Sequence, residues 1–448
     1  MRVIVGVLSL LPLLTWLMTH KKYRDIAAPY NLFTFLYIIN VMIPILSYVN
    51  VSAVNEISES YIRNAVLNNV TFSKYIVLQT LSYYFVIFGT KLRVINRKKS
   101  HNSKRISSSS YEQKKYLYMG ILFWILGTIA FFGIMRKVGG IYYFFTHLQY
   151  RASLTRNIDF LSWILPFVNY GVLLIIYSYK GSDKSLNIRI IFLIIVSGIM
   201  SGLGGRKALI ILFIEAILLY HYTIKEIDIK NFIKIKYLLG IVVLYLFFIL
   251  MSKFRTEGAV EAFLNNPLSF ILDSNKGLIV TIQSESYVRY FMALIEYFKS
   301  HSLWLGKSFL GLITAIIPSS LFPGKPPVDD GTYLYSICKG RTDIVPPMPF
   351  NQLNGSSLPL ETFGSMYANF GVIGLFIGMT ILGVIYGYSY RKMKRNSYSL
   401  FSVVIYTQII FTFQLSTLRM FQLFELIVVF AVVTFISSDR ISFRGRRR

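Results

Sequence analysis

Apolar runs long enough to cross a bilayer recur from one end of this chain to the other, and nothing else in the sequence limits the fold so strongly. A hydrocarbon core of roughly 30 Å takes about 17–25 residues of helix, and inside lipid a helix satisfies its own backbone hydrogen bonds. Eleven runs are read, each to within a few residues, at 2–18, 31–49, 74–90, 116–135, 160–179, 189–204, 208–222, 237–252, 367–389, 398–416 and 420–437. The expected fold is an all-α polytopic membrane protein of about eleven transmembrane helices. Composition agrees, since 54% of the residues are hydrophobic and 16% aromatic against 15% charged, the balance of a membrane chain.

One long polar stretch interrupts the pattern. The chain divides into residues 1–252 with eight spans and short loops, a large extracytoplasmic loop over 253–366, and residues 367–448 with three spans and a basic tail. A transporter keeps its chemistry within the bundle, whereas one large ordered loop on one side suggests a site at the membrane surface.

The formal charge of +27, from 47 Lys and Arg against 20 Asp and Glu, would mark a soluble chain as a nucleic-acid binder. Location argues otherwise. Alternate loops at 21–24, 91–115, 180–189, 225–236, 391–395 and 440–448 hold 28 of the 47 basic residues. The positive-inside rule makes that side cytoplasmic, with the amino terminus outside and the carboxyl terminus inside. No nucleic-acid partner is expected. The first apolar run carries more positive charge after it (His20, Lys21, Lys22, Arg24) than before it (Arg2), so it reads as a span and not as a cleaved signal. The lone Cys338 excludes an internal disulfide, and histidine is too scattered for a His/Cys metal site.

Three extracytoplasmic regions carry basic residues that topology does not require. In 136–159, His147, Arg151 and Thr155 are spaced four apart and would share one helical face, opposite aromatic residues suited to the headgroup layer. An interfacial helix with snorkelling cations fits the same pattern. The second region is the hairpin GLGGRKAL, where glycines precede Arg206 and Lys207 at the start of a helix. Close backbone approach, free amides and two cations suit a phosphate or diphosphate; a plain turn touching lipid phosphates is the other reading. The third is the large loop, where 276–299 reads as an amphipathic helix with Glu285, Arg289 and Glu296 on its polar face. A half-hydrophobic segment after His301, ended by prolines, reads as a re-entrant or surface-lying helix.

In order along the chain come GGRKALIILF, the Arg-bearing exit SKFRTEG, GKSFLGLITAIIP with FPGKPP, and ETFGSMYANFGVIG leading into IGMTILG. This ordered set, with many spans and one dominant outer loop, resembles the Wzy-type O-antigen polymerases, which polymerise oligosaccharide repeat units in bacterial envelopes. The resemblance covers roughly residues 139–387. It departs after the IIP proline, where family members often carry a basic residue and this chain has Ser319. No cationic role is placed there, and Lys325 is the substitute considered.

The resemblance implies a multi-pass protein of the bacterial inner membrane, working on its periplasmic face. A glycan on undecaprenyl diphosphate would pass to the terminal sugar of a newly flipped, lipid-linked repeat unit, and lipid diphosphate would leave. It also implies membrane lipids and a chain-length-regulating protein as partners.

Loss of a diphosphate builds negative charge on the leaving group, which fixed cations in a water-poor site stabilise, and arginine binds phosphate oxygens bidentately. The cationic candidates are Arg151, Arg206, Lys207, Arg255 and Arg289, with Lys325 beside them. The base candidates are Glu285, Glu296, His301 and Glu361, with His301 preferred because imidazole titrates near the working pH. Asn369 and Glu361 are read as glycan contacts. An Asp-x-Asp pair is absent and Asp329/Asp330 substitute poorly for one, so a metal-independent reaction without cofactor is expected. An O-antigen ligase and a lipid-linked oligosaccharide flippase are the alternatives.

Overall fold

The computed structural model describes residues 2–19, 25, 27–49, 54, 57–92, 110–155, 159–179, 188–224, 254, 258–272, 286–315, 317 and 321–437. Every regular element among them is a helix. Four helices, Arg2–Thr19, Pro29–Val49, Gln113–Val138 and Glu361–Arg395, are long and apolar enough to cross a membrane. Shorter apolar helices follow at Phe167–Ser178, Arg189–Gly202, Ala208–Thr223 and Leu400–Thr412. The protein is a helical membrane protein. Helices Asn69–Lys91 and Thr417–Ser437 stand where the third and eleventh runs are predicted, and the run at 237–252 lies outside the described residues.

The chain forms two compact units that cut across the divisions expected at 252 and 366. One comprises Met1–Arg97, Lys276–Arg391 and Ile409–Arg448, the other Lys98–Asn275 and Lys392–Gln408.

In the first unit, helices Asn69–Lys91 and Glu361–Arg395 meet backbone to backbone. A Cβ on Gly383 would fall 2.1 Å from the Val86 carbonyl oxygen, and one on Gly89 would fall 2.2 Å from that of Thr380. Small residues permit this approach between apolar helices. Arg391 donates to the Thr90 and Leu92 carbonyls at 2.9 and 3.1 Å, placing a cation on the carbonyl end of Asn69–Lys91. Asn68 caps its other end, accepting from the Val70 and Thr71 amides at 3.0 and 3.4 Å.

Helix Glu361–Arg395 covers the run predicted over 367–389 and is broken near the start of that run. At Gly371 the backbone leaves helical space (φ 67°, ψ −154°), a conformation open to glycine. The helix folds sharply there, so that Met366 Cγ would lie 2.3 Å from a Cβ on Gly378, where a straight helix would separate these residues by roughly 18 Å. The break frees two carbonyls, which accept hydrogen bonds from elsewhere. The Trp304 amide donates to Ala368 and the Leu305 amide to Asn369, both at 2.9 Å.

In the second unit, helix Ser110–Val138 runs along Phe167–Ser178, with Trp124 Nε1 donating to Ser197 Oγ at 2.9 Å. Buried Glu215 accepts from Gln408 Nε2 at 2.6 Å. Phe131, Ile134, Met135, Leu165 and Val168 form a core onto which Phe144 and Leu148 pack. This packing breaks the face predicted for His147, Arg151 and Thr155. Helix Ile141–Thr146 ends before His147, and a 3₁₀ turn, Leu148–Tyr150, intervenes before helix Arg151–Leu154. His147 and Arg151 therefore do not share one helix.

Candidate functional site

Helix Ile188–Gly202 ends in a tight hairpin, with left-handed backbone at Leu203 (φ 44°) and Gly204 (φ 75°), and helix Arg206–Thr223 opens immediately after it. Gly205 is the cap residue and brings no side chain to close the helix end. The first-turn amides of an α-helix have no intrahelical acceptor and carry the positive end of its dipole.

The segment 148–154 lies over this hairpin. A Cβ on Gly204 would meet Leu148 Cδ2 at 2.4 Å, and one on Gly205 would meet Arg151 Nη1 at 2.7 Å. The glycines thus make room for a leucine and a guanidinium that would otherwise collide with the turn. Among the described residues no carboxylate pairs with Arg151. Burial lowers its pKa from the ordinary value, yet arginine remains charged at physiological pH. The structure therefore brings together Arg151 and the backbone at the start of the Arg206–Lys207 helix. Arg255 lies outside the described residues.

The remaining candidates belong to the first unit, and most are engaged within it. The helix predicted over 276–299 begins at Val288 and ends at Tyr297 among the described residues; Glu285 lies outside them. Glu296 faces the start of helix Asn69–Lys91, where it accepts from Thr71 Oγ1, from Asn68 Nδ2 at 3.2 Å and from Lys299 Nζ at 2.8 Å. Burial works to raise its pKa, but the hydrogen bonds from Lys299, Thr71 and Asn68 prevail and hold the carboxyl below its usual range. A carboxylate so held anchors two helices.

Arg289 donates to Tyr290 Oη at 2.7 Å and lies over the Tyr290 ring, 4.8 Å from its centroid. Its charge also acts on Glu59 and Cys338. Lys325 donates to the Ile317 carbonyl at 2.6 Å. Glu361 opens helix Glu361–Arg395 with a strained φ of 50°.

Asn369 is fully buried and reads differently from the glycan contact expected. Its Oδ1 accepts from the Gly306 amide at 3.0 Å, and its Nδ2 donates to Ser308 Oγ and the Ser365 carbonyl, both at 2.8 Å. The side chain is an internal latch that ties the turn 304–308 to the helix break.

His301 keeps a usable nitrogen. Its ring stacks on Tyr297 with centroids 4.0 Å apart, and Nδ1 lies 2.8 Å from the Tyr297 carbonyl. A carbonyl only accepts, so Nδ1 carries the proton and Nε2 of the neutral ring is an acceptor.

Asp330, weighed from sequence only as half of a metal pair, has a different setting. It is buried between three elements: its Oδ2 accepts from Ser365 Oγ and the Thr417 amide, both at 3.3 Å, and its own amide donates to Thr417 Oγ1 at 3.1 Å. Burial first, and then the charge of Asp329, push its pKa up to about 7 against these hydrogen bonds. The legible signal was an aspartate just ahead of helix Gly331–Cys338.

Comparison of the chain with protein-family models, with curated proteins and with solved structures found no match.

Proposed function

We propose that the protein is a membrane glycosyltransferase that extends a glycan at the periplasmic face of the bacterial inner membrane, using polyprenyl-diphosphate-linked oligosaccharides as both donor and acceptor. The observation that carries this reading is Arg151, a guanidinium without a carboxylate partner among the described residues, set against the glycine hairpin at an uncapped helix start. Such a place attracts a dianion. Arg206 and Lys207 add two cations to the first turn by sequence.

The proposed reaction uses that placement. An acceptor-sugar hydroxyl attacks the anomeric carbon of the donor as its bond to the diphosphate oxygen breaks. The bonding electrons leave with the diphosphate, whose growing charge the Arg151 guanidinium and the helix amides stabilise. The hydroxyl proton passes to a base. The carrier departs as lipid diphosphate. The bias of basic residues toward alternate loops, which by the positive-inside rule leaves the amino terminus outside, supports chemistry on the side of the lipid-linked repeat unit.

Envelope glycan analysis of a deletion strain tests the reading. A core capped by a single repeat unit is expected. Free lipid-linked polymer would instead indicate a ligase, and repeat units accumulating on the cytoplasmic side would indicate a flippase.

A further inference from the structure

Between Glu296 and Asp329 the chain carries Lys299, His301, Lys307 and Lys325 and not one carboxylate. The half-hydrophobic segment inside this stretch is not one long helix among the described residues. A 3₁₀ turn, Lys307–Phe309, leads into helix Leu310–Thr314, which spans about 7 Å and is far too short to cross a hydrocarbon core of roughly 30 Å. Apolar side chains are nevertheless left uncovered here, with Leu305 71% and Ile313 70% exposed and Leu310 exposed between them. Such a patch marks a surface that meets an apolar partner.

Contacts within the first unit fix where this surface stands. The Trp304 and Leu305 amides donate to the carbonyls at the Gly371 break. A Cβ on Gly371 would lie 3.2 Å from Leu303 Cδ1, and one on Gly306 would lie 3.4 Å from Phe370 Cζ. Phe309 stacks on Phe370, and helix Leu310–Thr314 packs against Thr417–Ser437. From Gly371 to Arg391 the spanning helix measures about 30 Å, the thickness of the hydrocarbon core, and Lys392, Lys394 and Arg395 crowd its far end. With that basic end at one edge of the hydrocarbon, the break and the turn bound to it stand at the other. Phe370, itself exposed, joins the apolar surface of the turn to that of the span. Leu305 holds a left-handed φ of 49°, unfavourable for a residue with a Cβ, and its exposed side chain finds no packing inside the protein to offset that strain.

We propose that turn 303–309 and helix Leu310–Thr314 form a lip seated in the headgroup layer of the leaflet away from the basic end of that span. Leu305, Leu310 and Ile313 dip into the acyl boundary, and Lys307 lies against the phosphate of an anionic phospholipid. Immersion gives Leu305 the apolar contact that offsets its strained backbone. Lys307 is exposed and pairs with no carboxylate among the described residues, which suits a lipid phosphate. A second copy of the chain seated here would bring a further Lys307 to a stretch without carboxylates, so the charges favour lipid as the occupant. This seating does not depend on glycosyl transfer.

The test uses the full-length protein in nanodiscs, with a bimane maleimide attached to Leu305→Cys, Ile313→Cys or, for comparison, Thr342→Cys, whose position is exposed in the same loop. Wild type serves as the blank, because Cys338 is buried. Lipids bearing a nitroxide near the headgroup should quench the labels at 305 and 313, and aqueous iodide should quench the label at 342. Nitroxide-labelled phosphatidylglycerol should quench at 305 about fivefold more than its phosphatidylcholine analogue at equal mole fraction, the effect of one lysine at an anionic surface. Lys307→Gln should remove that preference. Iodide quenching at 305 and 313 that matches 342 would overturn the seating. Protection from iodide that disappears when each nanodisc holds a single copy would overturn it in favour of a second chain. Equal quenching by the two lipids in the Lys307 protein would overturn the anionic headgroup.

Discussion

Glu296 in the first unit and Arg151 in the second are placed in opposite ways. In the first, Glu296 is held by Asn68, Thr71 and Lys299, Lys339 lies 3.6 Å from Glu59, Arg341 pairs with Asp343, and Lys325 donates to the Ile317 carbonyl. In the second, Arg151 sits against the glycine hairpin with no carboxylate to neutralise it among the described residues. Charges that answer one another hold a fold together. A cation left without an answer, beside unclosed helix amides, is available to an anion from outside the chain.

The sharpest way to break that contrast is to remove the unanswered cation. Arg151→Ala should lower the rate of chain growth by about 10²–10³, the loss seen when one preorganised donor is taken from a developing oxyanion, with expression and melting temperature unchanged. Arg206→Ala should likewise abolish polymerisation while leaving expression intact. Normal-length polymer from either variant would take the hairpin out of the catalytic site.

The first unit should respond in stability. Glu296→Ala leaves the start of helix Asn69–Lys91 without its carboxylate, and the expected loss is about 1–3 kcal/mol in thermal or denaturant unfolding, with the turnover of the folded fraction preserved. A fall in turnover with stability intact would show Glu296 acting as a base.

Asp330 gives the next smaller effect, one that depends on pH. Its pKa in the folded protein is raised to about 7, so the folded state keeps a proton that the unfolded chain releases nearer pH 4. Stability is then greatest below the ordinary aspartate range, declines as pH rises toward 7, and is level above it. The decline should amount to something on the order of 2–4 kcal/mol, read as a melting temperature that falls between pH 5 and pH 8. Asp330→Asn should flatten this slope, and an unchanged slope would show that other groups set it.

The mildest perturbation is chelation. With no Asp-x-Asp pair in the sequence, EDTA should leave glycosyl transfer unchanged. Activity silenced by EDTA and restored by Mg²⁺ would overturn the metal-free reaction.

How far the sequence could be read follows from the range of each interaction. Apolar runs declare themselves within a window of about 20 residues, so the helices near 2–18, 31–49, 116–135 and 398–416 were legible. The hairpin before Arg206 was too, because glycines and cations adjoin there. The break at Gly371 was not, since its freed carbonyls are met by Trp304 and Leu305, more than sixty positions away. Asn369 was misread for the same reason: its partners Gly306 and Ser308 are remote in sequence. Glu296 answers to Asn68 and Thr71 across more than two hundred residues. Arg151 and Gly205 were each singled out, yet only the fold lays one on the other.

The central claim is that the hairpin and Arg151 hold the diphosphate of a departing lipid carrier. It is tested most directly by supplying the purified protein with lipid-linked repeat units and measuring released polyprenyl diphosphate against glycan length. One diphosphate released for each linkage formed, with release and chain growth lost together in Arg151→Ala, is the predicted result. Chain growth at the wild-type rate in Arg151→Ala, or translocation of the lipid-linked unit without any diphosphate release, would contradict it.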